Sequence, residues 1–235
     1  MLTHGHTDHI AGTNSIKKYC KARIFLPEKS IPEATDAEVQ EQAVLPDSVR
    51  EISLTLRNYD ILDNFDKTCG EWVLKKDDIS AINDGDELQA GAYTFQAIPT
   101  SGHDIGMMVF YEPSRKLLLT ADLLKGLRPG NALPWYSSSA GGPGEYLASL
   151  DMVEKLSVKD ALPSHGILKG SFIEAVGHTR DAILKREAEI VASLKNGPKT
   201  CDQLDNILFS PILLEVCLSA PSALSCWTSA HGFRA

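Results

Sequence analysis

Met1-Leu2-Thr3-His4-Gly5-His6-Thr7-Asp8-His9-Ile10-Ala11-Gly12 opens the chain and sets four potential metal ligands within six positions, in the order His-x-His-x-Asp-His. In an extended loop, residues two apart project the same way, so His4 and His6 can grip one ion from one side. Asp8 and His9 fall just past them and can reach a second ion. Zinc takes imidazole nitrogen and carboxylate oxygen readily, and a catalytic zinc site keeps one position open for water. The chain has only 7 histidines in 235 residues. Chance would produce such a cluster in about one chain of this kind in several thousand, so the stretch is read as ligands rather than as a tag remnant.

Three later stretches supply further candidates: Thr100-Ser101-Gly102-His103, Leu118-Leu119-Thr120-Ala121-Asp122 and Ala161-Leu162-Pro163-Ser164-His165-Gly166. Singly, a strand-end Asp or a His-Gly turn is most often structural. Together with the opening motif, and in this order, they resemble the signature of the metallo-β-lactamase-fold hydrolases, with Ser101 where that family's turn carries Pro. The resemblance implies that His4, His6 and His103 hold one metal, that Asp8, His9 and His165 hold the other, and that Asp122 bridges them. It implies two zinc ions, with iron or manganese as substitutes, and a role for Asp8 in orienting the nucleophile and carrying a proton. It also implies an α/β fold, the four-layer αββα sandwich. That sandwich normally places several strands and a helix ahead of the motif, whereas three residues precede His4, so it is expected to be N-terminally incomplete.

The length suits one ordinary domain with a small appendage, divided here as 1–176 (with an insertion at 28–78) and 177–235. A hydrophobic fraction of 43% supports a real core, and no apolar run approaches a membrane span. No signal-peptide pattern precedes the motif. Five cysteines (Cys20, Cys69, Cys201, Cys217, Cys226), odd in number and without a Cys-x-x-Cys pair, point to a reduced, cytoplasmic chain. None occupies a motif position, so the Cys ligand of some true β-lactamases is absent, which argues against antibiotic hydrolysis. The net charge is −8, and residues 28–78 hold 13 acids and 6 bases, almost all of that excess. Such a chain repels phosphate backbones at long range, so nucleic acid is disfavoured as a partner and a small molecule favoured.

Along the chain, 10–20 reads as a short helix with Ile10 and Ile16 inward, and 22–26 as a buried strand closed by Pro27. Within 28–78, apolar spacing from Asp47 suggests a helix, serving either as a lid or as a plain packing insertion. Asp84-Gly85-Asp86 and Ala90-Gly91 mark turns. Residues 93–99 alternate as a strand with Tyr93, Phe95 and Ala97 on one face. Residues 107–111 and 116–121 form a hairpin, and Leu117-Leu118-Leu119 suits a strand covered on both faces. Asp122 then falls at a strand's carboxyl end, where open sheets place their chemistry. Residues 125–144, with Trp135 and Tyr136, form either a substrate wall or an ordinary crossover. Residues 145–156 read as an amphipathic helix with Leu147, Leu150, Val153 and Leu156 inward. A long helix over 172–194 is stopped by Gly197-Pro198. Residues 178–210 resemble, in helix order, the small winged-helix-like tail of one branch of the family; beyond Pro211 no strand pair for a wing follows. Asp104, beside His103, is a candidate to fix a ligand imidazole.

Two ions held this way share a bridging water and lower its pKa towards ~7, giving a hydroxide nucleophile at neutral pH. The expected function is therefore dinuclear zinc-dependent hydrolysis of an ester, thioester or related acyl bond, with hydroxyacylglutathione hydrolase the nearest familiar activity of the family. Three alternatives stand beside it: a metal-dependent RNA phosphodiesterase, a mononuclear iron persulfide dioxygenase with His9 and His165 unmetallated, and an inactive truncated copy.

Overall fold

A computed structural model describes residues 1–36, 73–126, 140–200 and 203–204. Among these residues, five strands form the larger sheet in the order β3 (Glu87–Ala90), β4 (Tyr93–Pro99), β5 (Met108–Glu112), β6 (Leu117–Ala121), β7 (Asp160–Pro163). The first four are antiparallel neighbours, and β7 runs parallel to β6. A smaller parallel sheet pairs β1 (Ile24–Pro27) with β2 (Ile79–Ile82).

Side-chain alternation assigns the faces. On β6, Leu118 enters one apolar cluster with Val109, Tyr111, Leu150, Val153, Val176 and Ile183, whereas Leu117 and Leu119 pack against another built on Phe95, Ala97, Phe110 and Ile82. The expectation of a strand covered on both faces holds. The first cluster lies beneath helices α4 (Gly142–Val153) and α5 (Phe172–Leu194). The second joins the two sheets through Ile82 and Phe25. The far side of the small sheet packs Ile24 and Leu26 against Ile10 of α1 (Thr7–Ile10) and Ala34 of α3 (Ile31–Thr35). Helix, sheet, sheet and helix thus stack as the αββα sandwich expected from the sequence.

Several details differ from the periodicity. The helix over 10–20 is two pieces, α1 and α2 (Thr13–Tyr19), broken at Ala11-Gly12. Ile10 is fully buried, but Ile16 is 59% exposed, against expectation. The inner face of α2 is instead set by Asn14, which donates to Val73 O, and Lys17, which pairs with Asp78; at about 100° per residue, Ile16 lies nearly opposite Asn14 and to one side of Lys17. Helix α4 starts three residues before the expected 145, because Pro143 sits in its first turn, where its missing N–H is harmless. Phe95 and Ala97 are buried as expected, while Tyr93 is partly exposed, stacked on Phe95 and covered by the Arg115 guanidinium.

Helix α5 has the expected bounds; of the apolar residues whose spacing predicts burial, Ile183 is buried, whereas Leu194, in the last turn, is 41% exposed. Both ends of the 28–78 excursion return to one place, with Leu74 N–H donating to Ala34 O at 2.9 Å and Leu74 buried. The helix expected from Asp47, Trp135, Tyr136 and the winged-helix-like tail beyond 204 lie outside the described residues. Among the described residues no helix is long and apolar enough to cross a membrane.

Candidate metal centre

Leu2 and Thr3 tie the opening motif to both sheets: Leu2 N–H donates to Phe25 O at 2.8 Å, and Met108 N–H donates to Thr3 O at 2.9 Å. His4, Gly5 and His6 leave this junction as a loop, and the chain then turns into α1. Ile10, fully buried, anchors that short helix, a contribution of about 1.5–3 kcal/mol. Asp8 and His9, in its first turn, therefore project separately from the two loop histidines. The remaining candidates arrive at the same end of the large sheet: His103 after β4, Asp122 directly after β6, and His165 two residues beyond β7.

All seven side chains converge. His4 Nε2 lies 2.9 Å from His6 Nδ1, and His103 Nε2 lies 3.2 Å from that same nitrogen. Ligands at ~2.05 Å on a tetrahedral zinc stand about 3.3 Å apart, so this spacing suits one ion. On the other side, His165 Nε2 is 3.1 Å from Asp8 Oδ2, and His9 Nε2 is 3.6 Å from it. Asp122 stands between the groups: Oδ2 is 3.3 Å from His103 Nε2, and Oδ1 is 3.2 Å from His9 Nε2 and 3.4 Å from His165 Nε2. Among the described residues four sets, His4/His6/His103, His4/His9/Asp122, Asp8/His9/His165 and His6/Glu33/Asp104, each bring their ligand atoms within 4.8 Å of one another.

The donor chemistry also suits cations. Burial, followed by the neighbouring His6, His9 and His103, pushes the His4 pKa well below the ordinary imidazole value, against the pull of Asp122. Burial and His103 bring His6 down to about 4. Both rings are therefore neutral at pH 7, the state a metal requires. Burial opposes ionisation of Asp122, but the contacts with His103, His9 and Lys125 outweigh it and hold the carboxyl far below the usual carboxylate range. His9 Nε2 and Asp122 Oδ1 are buried, 3.2 Å apart, yet neither makes a hydrogen bond. Buried polar atoms rarely lack partners, and these two face the space where an ion would join the groups.

Supporting contacts hold the ligands from behind. Thr3 Oγ1 meets His4 Nδ1 at 3.0 Å, which orients the ring with Nε2 towards the cluster. Ala121 takes a left-handed φ of +48°, next to a register shift between β6 and β7. That strained turn redirects the chain so that Asp122 leaves the sheet edge inward. The buried Tyr146 hydroxyl on α4 donates to the carbonyls of both Asp122 and Leu123, at 3.0 and 2.7 Å. At the His103 turn, a Cβ on Gly102 (φ +98°) would stand 2.5 Å from the Tyr146 backbone, so only glycine fits. Ser101 N–H donates to Ser149 Oγ at 2.8 Å, and Ser149 Oγ–H donates back to Ser101 O at 3.0 Å. A proline at 101 could not make the first of these bonds, which gives the departure at that position a structural use.

The sequence alone passes over three neighbours. Lys125 Nζ is 2.8 Å from Asp122 Oδ2, and Tyr146 grips the Asp122 loop as described. Glu33, 6% exposed, stands behind His6, with Oε1 3.7 Å from His6 Nε2. Burial, then the adjacent Asp104 carboxyl, raises the Glu33 pKa to about 8. Asp104 is buried as well and turns towards Glu33, Ser30 and Gly106.

An αββα sandwich carrying a His/Asp cluster at the strand ends defines a candidate metal site on a hydrolase-like scaffold. A family model for the metallo-beta-lactamase superfamily matches residues 1–165, and the chain belongs to that superfamily, whose members are mostly metal-dependent hydrolases. Among solved structures, the chain is similar to a metallo-beta-lactamase family protein from Thermus thermophilus, with 25% identity, a TM-score of 0.63, and 88% of this chain and 67% of that one covered. It shares the fold of a beta-lactamase domain protein from Burkholderia ambifaria, with 18% identity, a TM-score of 0.64, and 89% of this chain and 61% of that one covered. An uncharacterized protein of Aquifex aeolicus is 25% identical over 124 residues, which is 53% of this chain and 47% of the relative; the chain thus matches about half the length of that curated relative.

Proposed function

We propose that this chain is a dinuclear zinc-dependent hydrolase that cleaves an ester, thioester or related acyl bond in a small molecule. The observation that carries the reading is the convergence of His4, His6, Asp8, His9, His103, Asp122 and His165, with His9 Nε2 and Asp122 Oδ1 buried and lacking hydrogen bonds. In this reading His4, His6 and His103 hold one ion, Asp8, His9 and His165 the second, and Asp122 reaches both. Bound there, two divalent ions supply an activated water near neutral pH and polarise the scissile carbonyl.

The protein's own groups set the rest. His4 and His6, kept neutral by burial, offer lone pairs without competing protons at pH 7. Asp122, kept anionic, gives the buried centre its negative charge. Asp8 is the exposed carboxylate of the set, with its side chain 55% accessible and Oδ2 3.1 Å from His165 Nε2. It can therefore orient the attacking water and hand a proton to the leaving group, in contact with solvent. The net charge of −8 disfavours a polyanion such as RNA and supports a small acyl substrate.

The test is a panel of aryl esters, thioesters and a single-stranded RNA. Zinc-loaded protein is expected to hydrolyse an acyl substrate, to lose activity with a chelator, and to recover it on adding zinc. RNA cleavage without acyl hydrolysis, or acyl hydrolysis indifferent to chelation, would contradict the proposal.

A further inference from the structure

Resting on the metal-site reading just given, we propose that Glu33 is a positioning residue for the metal centre: a buried carboxyl, itself held by Asp104, that takes the outer ring nitrogen of His6 and so aims His6 Nδ1 at the ion. His6 is the pivot of its group, because its Nδ1 is the atom that both His4 Nε2 and His103 Nε2 approach. Its Nε2 points the opposite way and meets Glu33 Oε1 at 3.7 Å, a few tenths of an ångström beyond hydrogen-bond range. Glu33 Oε1 is fully buried and accepts no hydrogen bond from any other group. A ring that coordinates through Nδ1 carries its proton on Nε2, which makes Nε2–H the donor facing this acceptor.

Glu33 cannot wander. It sits on α3 beside Ala34, which is fully buried, and its carboxyl lies within 4.8 Å of both the Asp104 carboxyl and a His6 ring nitrogen. Asp104 Oδ1 is fixed in turn by Gly106 N–H at 2.8 Å and Ser30 Oγ–H at 3.4 Å. The motif loop lies directly over the carboxyl: a Cβ on Gly5 would stand 2.5 Å from Glu33 Oε2. The residue between the two loop histidines is thus glycine where Glu33 approaches. The resulting relay runs from Gly106 and Ser30 through Asp104 and Glu33 to His6. A ligating histidine whose other nitrogen is held by a carboxyl group has its tautomer and ring orientation fixed, and loss of such a partner typically costs 10–100-fold in metal affinity.

The experiment is a zinc competition titration against a chromophoric chelator, using metal-free wild type, Glu33→Leu, Glu33→Asp and Glu33→Gln, with cobalt(II) visible spectra of each. Glu33→Leu has no acceptor, and Glu33→Asp withdraws its carboxyl by one methylene. Both are expected to lose about 10–100-fold in zinc affinity and to show an altered cobalt spectrum. Glu33→Gln offers an amide oxygen to His6 Nε2–H and an amide N–H to Asp104, and is expected to retain wild-type affinity and spectrum. Thermal unfolding of the metal-free variants separates this from a loss of folding; should Glu33→Leu fail to fold, Glu33→Asp against Glu33→Gln gives the same comparison. Unchanged affinity and spectrum in Glu33→Leu or Glu33→Asp overturn the proposal alone. A wild type with more than two metal equivalents, the extra one lost in Glu33→Gln, also overturns it, since Glu33 would then be a ligand. No zinc or cobalt binding by the wild type overturns the metal-site reading as well.

Discussion

Replacing Tyr146 by phenylalanine removes one oxygen atom from a fully buried ring and leaves the ring's packing in place. That hydroxyl donates to Asp122 O at 3.0 Å and Leu123 O at 2.7 Å, and burial raises its pKa, so it remains a donor at any working pH. Net, a buried hydrogen bond contributes about 1 kcal/mol, and a buried acceptor left without a donor costs about 1–3 kcal/mol. The hydroxyl serves two carbonyls with a single proton, so we expect about 2 kcal/mol rather than the sum of two independent bonds. With a urea m value of roughly 2 kcal/mol/M, the midpoint of the metal-free protein should fall by about 1 M at unchanged slope. Because the loop that moves carries Asp122, zinc affinity should fall with it. A midpoint within about 0.2 M of wild type would show that these carbonyls find other donors, and that Tyr146 does not fix the Asp122 loop.

The Ser101–Ser149 exchange gives a second expectation: Ser149→Ala should cost about 1 kcal/mol, and Ser101→Pro should cost less in that background than in wild type, a coupling readable from a urea double-mutant cycle. Lys125 Nζ occupies Asp122 Oδ2 at 2.8 Å, so Lys125→Met should weaken the metal-free fold but raise zinc affinity several-fold by removing a competing cation; a fall in affinity, measured by chelator competition, would contradict this. At the start of α5, Ser171 and Glu174 cap each other, and the hydrogen bonds from Ser171 hold the Glu174 carboxyl below its ordinary value. Its contribution is thus present above a pH of about 4.5 and lost as pH falls through the lower folded-state value. Glu174→Ala should be less stable than wild type near neutral pH, with the difference fading in acid, as thermal melts across pH will show.

Much of the site was legible because metal ligands are chemically rare and structurally placed. His4, His6, Asp8 and His9 lie within one turn-sized stretch; alternation reveals the strand before His103, an apolar run the one before Asp122, and only the apolar pair Ala161-Leu162 announces the strand before His165. The Leu117-Leu118-Leu119 run announced a doubly covered strand because each face meets its own apolar cluster. Side chains that support the ligands left no such trace. Tyr146 reaches Asp122 across 24 residues and looks like one more apolar position on its helix. Glu33 looks like one acid among many in an acidic interval until α3 folds it beneath the motif loop. Ile16 misled because the phase of a helix resets at a break, and Gly12 ends one helical run before α2 begins another. The Ser171-x-x-Glu174 box, by contrast, marks the start of α5 by a purely local pattern, one that the reading of the sequence passed over.

On the reading proposed above, seven side chains hold two cations. Elemental analysis of protein purified without added metal, run beside His4→Ala and Asp122→Ala, tests it most directly. Two zinc ions per chain are expected in the wild type, with metal lost from both variants. A wild type carrying a single iron, or no metal after zinc is supplied, would contradict it.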